Sequence, residues 1–423
     1  MIKFLLKGIL RDKSRSLLPI IVVSLGVFLT IVMSAWMKGI FTDMIDLNAN
    51  FNTGHVKIMT RSYAENANQM PLDLALLGVD ELNLNLSKDY PEMEWVSRIN
   101  FGGLLDVPDK NGETRAQGPA VGKAIDFFHN PKELERMNVL KSIVLGDIPN
   151  EPGEAIISHE FSEKFGVKPG HSITLFGSTM NGSMLFKTFT VCGTIRFGVT
   201  ILDRGAILID ISDAQLALDM EDGSTEILGY FKDGKYDKLK ADELTNSFNS
   251  KYSIDTDEFS PKMFKLEQQA GLEEYLAMAD GVVGMMIAFF IIAMSIVLWN
   301  TGLLGGLRRY TEYGVRLALG EEKKHIYKTM IYEAILIGLI GSVIGTILGL
   351  GIAYYLQEVG LDFSEMTKNI NMMLPPVYKA SIFPDLFYIG FIPGLIAMVL
   401  GNALAGFAIY KRKTARLFKE LEV

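Results

Sequence analysis

The chain has 423 residues, is 49% hydrophobic and carries a net charge of −8. Its mean hydropathy of +0.23 is too high for an ordinary soluble protein and too low for a transporter made only of helix. The length allows two or three domains, and one cysteine, Cys192, excludes an intrachain disulfide.

The N-terminus is basic, with Lys3, Lys7, Arg11, Lys13 and Arg15 against one acid, Asp12. From Arg15 to Lys38 no residue is charged. A helix of ~20 residues rising ~1.5 Å per residue crosses a hydrocarbon core of ~30 Å, so this is span one. Its apolar run of about 21 residues exceeds the ~7–15 of a signal peptide. Ser34-Ala35-Trp36 is also a poor cleavage site. Span one therefore reads as a retained anchor.

Residues 38–281 form a polar block with 23 Lys and Arg against 38 Asp and Glu. The pattern is mixed α/β. Strands are predicted at Gly54–Met59, 93–106 and 114–125, with a helix over 79–88 and turn chemistry at Asp109-Lys110-Asn111-Gly112. A β-rich stretch follows. Glu154–Ser158 is a strand, Glu160–Phe165 a helix stopped by Gly166, and Val167-Lys168-Pro169-Gly170 a turn. Ser172–Phe176 and Phe186–Ile195 are strands joined by the loop Gly177–Ser183. Ala206–Ile211 is a strand, and Asp213–Leu218 a helix with Ser212 as N-cap. The first style then returns, with strands at Glu226–Phe231 and Tyr252–Asp257 around a helix at Lys238–Phe248. This order predicts a split α/β unit with a β-rich module inserted into it. Cys192 lies in an apolar alternating run and reads as a small core residue.

From Pro261 the pattern predicts one long helix, with Pro261 in its first turn, running into the second charge-free gap, Asp280 to Arg308. The loop Arg308–Gly320 then predicts a short amphipathic helix ended by a glycine. Span three lies between Glu333 and Glu358. It places Gly341, Gly345 and Gly349 on one face, suited to close helix approach within the chain, at a dimer interface or along a sliding surface. Span four lies between Asp385 and Lys411, and Pro393 inside it predicts a kink. Asn300 and Asn402 sit near the inner ends of spans two and four.

Basic residues flank the spans on one side: before span one, at Arg308, Arg309, Arg316, Lys323, Lys324 and Lys328, and at Lys411, Arg412, Lys413, Arg416 and Lys419. The loop 357–385 holds only Lys368 and Lys379. The positive-inside rule then places both termini and the 308–333 loop in the cytoplasm, and the acidic block outside. Basic runs beside spans read as membrane-surface anchors, not nucleic-acid sites. No Asp, Glu, Lys, Arg or His lies inside a span, which argues against an ion-coupled carrier. His55, His129, His159 and His171 are scattered without metal-ligand spacing, and no G-x-S-x-G elbow occurs, which argues against an enzyme.

Glu312-Tyr313-Gly314-Val315-Arg316-Leu317-Ala318-Leu319-Gly320, reached directly from one span and followed by Glu333-Ala334 at the next, resembles the coupling segment of the MacB/LolC/FtsX-like ABC permease family. The basic approach Arg11–Leu18 is similar to that family's, and Glu154–Leu218 resembles its periplasmic core domain. The 1+3 span order with a large insert after span one is also its layout. Fused-ATPase members depart from this chain, which has no G-x-x-x-x-G-K-[ST]. Size and architecture sit nearest the lipoprotein-releasing LolC/LolE branch. That branch has a Pro-rich projecting loop, whereas 177–184 here is short and has no Pro.

The resemblance implies a four-helix membrane protein with a large extracytoplasmic α+β domain inserted after helix one. Its expected limits are 1–37 for the N-terminus and span one, and 38–265 for the external domain (about 38–150 plus 225–260, with the β-rich insert at about 151–224). They continue with 266–307 for the long helix and span two, 308–333 for the coupling segment, 334–356 for span three, 357–385 for the external loop, 386–410 for span four and 411–423 for the tail. It implies a permease in the inner (cytoplasmic) membrane that works as a homo- or heterodimer and docks a cytoplasmic ABC ATPase dimer. ATP-Mg would be bound by that partner and no cofactor by this chain. Glu312, Gly314, Arg316, Ala318 and Gly320 would contact the ATPase, unless Glu312 and Arg316, four apart, simply pair with each other. Thr179, Met180, Asn181 and Met184 would meet a periplasmic carrier, adaptor or lipoprotein. The implied activity is lipoprotein release; an FtsX-like scaffold that activates a hydrolase and a MacB-like exporter remain as alternatives.

Overall fold

The computed structural model describes residues 13–109, 111–197, 200–254, 257–269, 272–308, 310–362 and 377–411. Two compact units emerge. One comprises Met1–Asp43, Ala277–Asp362 and Val377–Val423, and the other Met44–Leu276 and Phe363–Pro376.

The first unit is helical. Among the described residues four helical segments are long and apolar enough to cross a membrane: Leu17–Thr53, Gly281–Gly305, Lys323–Glu358 and Leu386–Phe407. Each overlaps a charge-free gap, and the first and third run beyond theirs. The buried core they share includes Val23, Val27, Ile31, Leu298, Ile337, Ile389 and Met398. In the last segment the kink expected at Pro393 takes the form of a π-helical stretch, Ile392–Ala397. Proline supplies no N–H to the helical ladder, and a wider turn absorbs the missing bond.

The glycine stripe of span three faces span one. A Cβ built on Gly341 would lie 2.6 Å from Val23 Cγ1, one on Gly345 2.5 Å from the Ser24 carbonyl oxygen, and one on Gly349 3.0 Å from Ile31 Cβ. Contact inside the chain thus occupies this face, one of the three roles left open by the spacing. Replacing Gly345 with Leu should cost at least the ~1–3 kcal/mol of an overpacked core. A thermal melt of the purified chain checks this; an unchanged midpoint would remove the close contact from the account.

The second unit is α+β, built on ten strands. They are β1 (Val56–Thr60), β2 (Met93–Pro108), β3 (Thr114–Ile125), β4 (Ile143–Gly146), β5 (Glu154–Ser158), β6 (Ser172–Ser178), β7 (Met184–Ile195), β8 (Ala206–Asp210), β9 (Glu226–Phe231) and β10 (Pro261–Lys265). The order is β10-β1-β9-β2-β3-β8-β5-β7-β4, and β6 pairs with both β2 and β7. The pairings β2-β3-β8-β5-β7-β6 therefore close on themselves. Strand β2 is long enough to serve two neighbourhoods: Met93–Arg98 pairs with β9, and Ile99–Pro108 with β3.

Two cores result. Ile99, Phe101, Leu105, Phe161, Leu175, Phe189 and Ile207 fill the closed part. Val56, Ile58, Leu86, Ile227, Phe248 and Met263 fill the space between the open arm and the helices Val79–Asp89 and Lys238–Tyr252. The β-rich insert is thus not a free-standing module, because β2 and β3 from the flanking segment complete its sheet. Cys192 is half-buried beside Ile156 and Ile195, its thiol donating to the Ala155 carbonyl at 3.4 Å, and burial pushes its pKa up to about 12.

Three local expectations are corrected. The long helix does not begin at Pro261; residues 261–265 are edge strand β10, paired antiparallel with β1, and the helix is Leu272–Arg308. Proline is tolerated at the first position of an edge strand. Of the strand expected at Tyr252–Asp257, residues 255 and 256 lie outside the described residues, and the others are not in a strand. The preceding helix runs to Tyr252, whose ring stacks on Phe248 at 4.8 Å. The helix after β8 is capped by Asp210 rather than Ser212, because the Asp210 carboxylate accepts from the N–H of Ser212 and also of Phe127.

Candidate functional site

Two features carry functional geometry: the segment 310–321 and a buried charge cluster in the α+β unit. The segment forms a helix, Tyr310–Ala318. Tyr313 is buried with Ile326 and Met330, and Leu317 packs beside them. Glu312, Val315 and Leu319 share the opposite side and are exposed, Leu319 to 83%. Spacings of three and four residues align them on one face. Ala318 is exposed as well.

Gly314 is not required by the chain's own packing. A Cβ there would meet nothing within 4 Å, although glycine weakens a helix by ~1 kcal/mol against alanine. Gly314 itself is buried within the segment, beside Tyr313 in sequence. Gly320 has a different cause: its φ of +93° is left-handed, and it turns the chain after the helix.

Arg316 is engaged locally, and not by Glu312 in the manner the spacing suggested. Its Nε and Nη2 both donate to Glu321, at 2.7 Å each, a two-pronged pair that braces the Gly320 corner. His325 Nε2 lies 3.7 Å from the same carboxylate. Arg316 thus holds the shape of the segment, and the exposed side belongs to Glu312, Val315, Ala318 and Leu319.

The 177–184 loop is a tight hairpin between β6 and β7. Thr179 is buried, the Met180 N–H donates to the Leu218 carbonyl at 2.9 Å, and Met180 packs on the closed core. Both point into their own domain, so neither offers a docking surface. Asn181 and Met184 remain exposed. Beside Met184, Leu104, Phe176 and Phe186 lie in register across β2, β6 and β7. Leu104 and Phe186 are exposed, a partly apolar row that alternation alone did not flag.

The buried cluster has no local sequence signal. Directly after the Lys13–Asn48 helix, Ala49–Thr53 form a π-helical turn. Arg98, fully buried on β2, donates to the carbonyls of Asn50 at 2.9 Å and Phe51 at 2.5 Å, and to the Tyr230 hydroxyl at 3.1 Å. Its charge is balanced by Glu133, which accepts from Nε at 2.6 Å. The Tyr230 hydroxyl donates to the Ala49 and Asn50 carbonyls, and Gln269 Nε2 to that of Thr53. Arg136 stacks over the Tyr230 ring at 3.9 Å and reaches Glu133 and Glu94. Carbonyls left over at a helix C-terminus carry partial negative charge, so a buried guanidinium is a matched cap. The result is a clamp that fixes the π-helical turn Ala49–Thr53 to the sheet of the α+β unit.

Comparisons with known proteins agree with this architecture. The family model for the MacB-like periplasmic core domain matches residues 16–246, and that for the FtsX-like permease C-terminal region matches residues 284–414. The chain belongs to the MacB/LolC/FtsX-like ABC transporter permease family. Among curated relatives it is similar to the lipoprotein-releasing system transmembrane protein LolC of two Xylella fastidiosa strains, 24% identical over 263 residues. That match covers 60% of this chain and 61% of LolC, so the chain spans about three fifths of the length of these relatives. The macrolide export ATP-binding/permease protein MacB of Wolinella succinogenes is 26% identical over 101 residues, 23% of this chain and 16% of that one. Among solved structures, the periplasmic region of MacB from Actinobacillus actinomycetemcomitans aligns with 54% of this chain and 95% of its own, at 10% identity and a TM-score of 0.36.

Proposed function

We propose that this chain is the membrane subunit through which a separate cytoplasmic ABC ATPase drives movement of the α+β unit, and that the work done is release of lipoprotein from the inner membrane. The observation that carries the reading is the exposed Glu312–Val315–Leu319 face, braced from behind by Tyr313 and by the Arg316–Glu321 pair. Such a face suits a shallow cleft on a partner: one anion and two apolar side chains. Closure of two ATPases on ATP-Mg would push this helix. The first helix, followed by the turn that Arg98 clamps, would pass the displacement outward. The uncharged spans fit a protein that moves its outer domain rather than conducting a hydrophilic solute. Lipoprotein as cargo is supported by the likeness to LolC. Two copies, or this chain and a similar one, would complete the assembly. Both termini would lie in the cytoplasm, with a periplasmic carrier near Asn181 and Met184.

The test is co-purification. The full chain should capture an ATPase whose turnover falls about tenfold with Glu312→Lys, the scale of losing one central interface contact. Unchanged capture and turnover would remove the coupling role. A cell-wall hydrolase captured instead of a lipoprotein or carrier would replace cargo release with signalling.

A further inference from the structure

The α+β unit contains a cavity of about 520 Å³ that the transport reading does not use. The π-helical turn Ala49–Thr53, strands β1, β3 and β8, and Phe264 of β10 enclose it. Its volume falls within the ~300–1,000 Å³ range of small-molecule sites. Phe51, Met59, Phe197, Leu202 and Phe264 supply an apolar wall. Lys57, Lys123, Glu226 and Gln269 supply the polar part, and each is at least nine-tenths buried.

These polar groups do not satisfy one another. Lys57 Nζ donates to Glu226 Oε2 at 2.6 Å. Lys123 Nζ stands 3.9 Å from Glu226 Oε1 and 5.3 Å from the centre of the Phe51 ring, and makes no hydrogen bond among the described residues. Glu226 Oε1 and Gln269 Oε1 have no donor among the described residues. Two buried lysines face one buried carboxylate, and exposed Glu65 also lines the cavity, while the adjoining Arg98 is matched by Glu133. A buried unpaired charge costs several kcal/mol, as does each buried polar atom left without a partner to a lesser degree. The missing complement is therefore a hydrogen-bond acceptor for Lys123 and a donor for the free acceptors, on a molecule with an apolar body.

We propose that this cavity binds an apolar monocarboxylate carrying a hydroxyl or amide N–H beside its carboxylate. The carboxylate accepts from Lys123, the adjacent donor serves Glu226 Oε1, and the body lies against Phe51, Phe197 and Phe264. Because Phe51 and Thr53 line the cavity while their carbonyls are held by Arg98 and Gln269, an occupant touches the turn that ends the first helix.

The geometry supplies its own reporter. Burial, reinforced by Arg98 and Lys57 and opposed by Glu226 and Glu133, lowers the Lys123 pKa to about 7, so a reactive neutral amine exists near neutrality. The full chain in lipid nanodiscs is treated at pH 7.5 with a small acylating reagent, and Lys123 is followed by peptide mass spectrometry. Exposed Lys132 and Lys238 serve as references. The probe is 2-hydroxyoctanoate, set against 1,2-octanediol (the same body without the charge) and lactate (the head without the body). Acylation of Lys123 should fall about tenfold with the probe at roughly ten times its Kd, and change less than about twofold with diol or lactate at the same concentration. A shift of the melting midpoint by 2-hydroxyoctanoate should vanish in Lys123→Met. Equal protection by the diol, protection equally strong at the reference lysines, or no protection at all would overturn the proposal.

Discussion

Arg98→Met should destabilise the α+β unit by about 3–5 kcal/mol, the cost of removing one member of a buried ion pair. The substitution fills most of the volume but leaves Glu133, 1% exposed, with Arg136 as its remaining cation, and takes the Arg98 donors from the Asn50 and Phe51 carbonyls. Adding Glu133→Leu should restore only part of the loss. It removes the poorly matched charge, yet the Arg98 donors to the Asn50 and Phe51 carbonyls stay lost. Hydrogen exchange separates the two effects. Ala49–Thr53 should lose protection in both variants, whereas β2 and β9 should recover in the double variant. Equal protection of the turn in wild type and variants would show that Arg98 does not clamp it.

Acid should destabilise the same unit through His55. Its Nδ1 accepts the Phe231 N–H at 3.0 Å, and the ring is packed among Tyr230, Phe231 and Tyr236. Burial, with Arg136 nearby, lowers its pKa from 6.5 to about 4, against a smaller upward pull from Asp233. The folded state therefore binds its proton later than the unfolded state as pH falls. Between 6.5 and about 4 the unfolded chain holds more protons, so stability drops with pH across that window, by about 3 kcal/mol at ~1.4 kcal/mol per pKa unit. Glu226 acts in a separate and lower window. Burial opposes its charge, but Lys57 and Lys123 outweigh burial and hold its pKa near 2, so its contribution is present above 4.5 and lost on approach to 2. His55→Gln keeps a side-chain acceptor and cannot gain a proton. Unfolding midpoints from pH 7 to 4 should fall steeply in wild type and much less in this variant; parallel curves would assign the acid sensitivity elsewhere.

What could be read from the chain divides along physical lines. The four charge-free gaps gave the helices of the first unit, because lipid demands one unbroken apolar length whatever the neighbours. Strands β5, β7 and β9 were legible from apolar runs bounded by turn residues. Strand β10 was not, since Pro261 suits a helix start as well as a strand edge, and its partner β1 lies some two hundred residues earlier. Tyr252 was given to a strand for its β propensity, although packing on Phe248 keeps it in the helix. At the candidate sites, the helical face of 310–320 followed from spacing, while the engagement of Arg316 did not. Glu321 lies beyond the Gly320 corner, and no helical periodicity reaches around it. Arg98, Lys123 and Glu226 were invisible as a group. Each is one charge in a strand, and only the pairing of β9 with β1 and β2, and of β2 with β3, gathers them. The hairpin at 177–184 looked like a free loop because the Leu218 carbonyl that draws Met180 inward comes from a distant turn.

The central claim is that the α+β unit faces outward and the 310–320 helix faces the ATPase side. Cysteine labelling tests it most directly, on a Cys192→Ala background with Asn181→Cys or Leu319→Cys as the reporter. Leu319 is exposed, so a cysteine there is open to reagent. A membrane-impermeant maleimide should label the Asn181 variant on intact spheroplasts and the Leu319 variant only after permeabilisation. Labelling of the Leu319 variant from outside, or of the Asn181 variant only from within, would contradict the account.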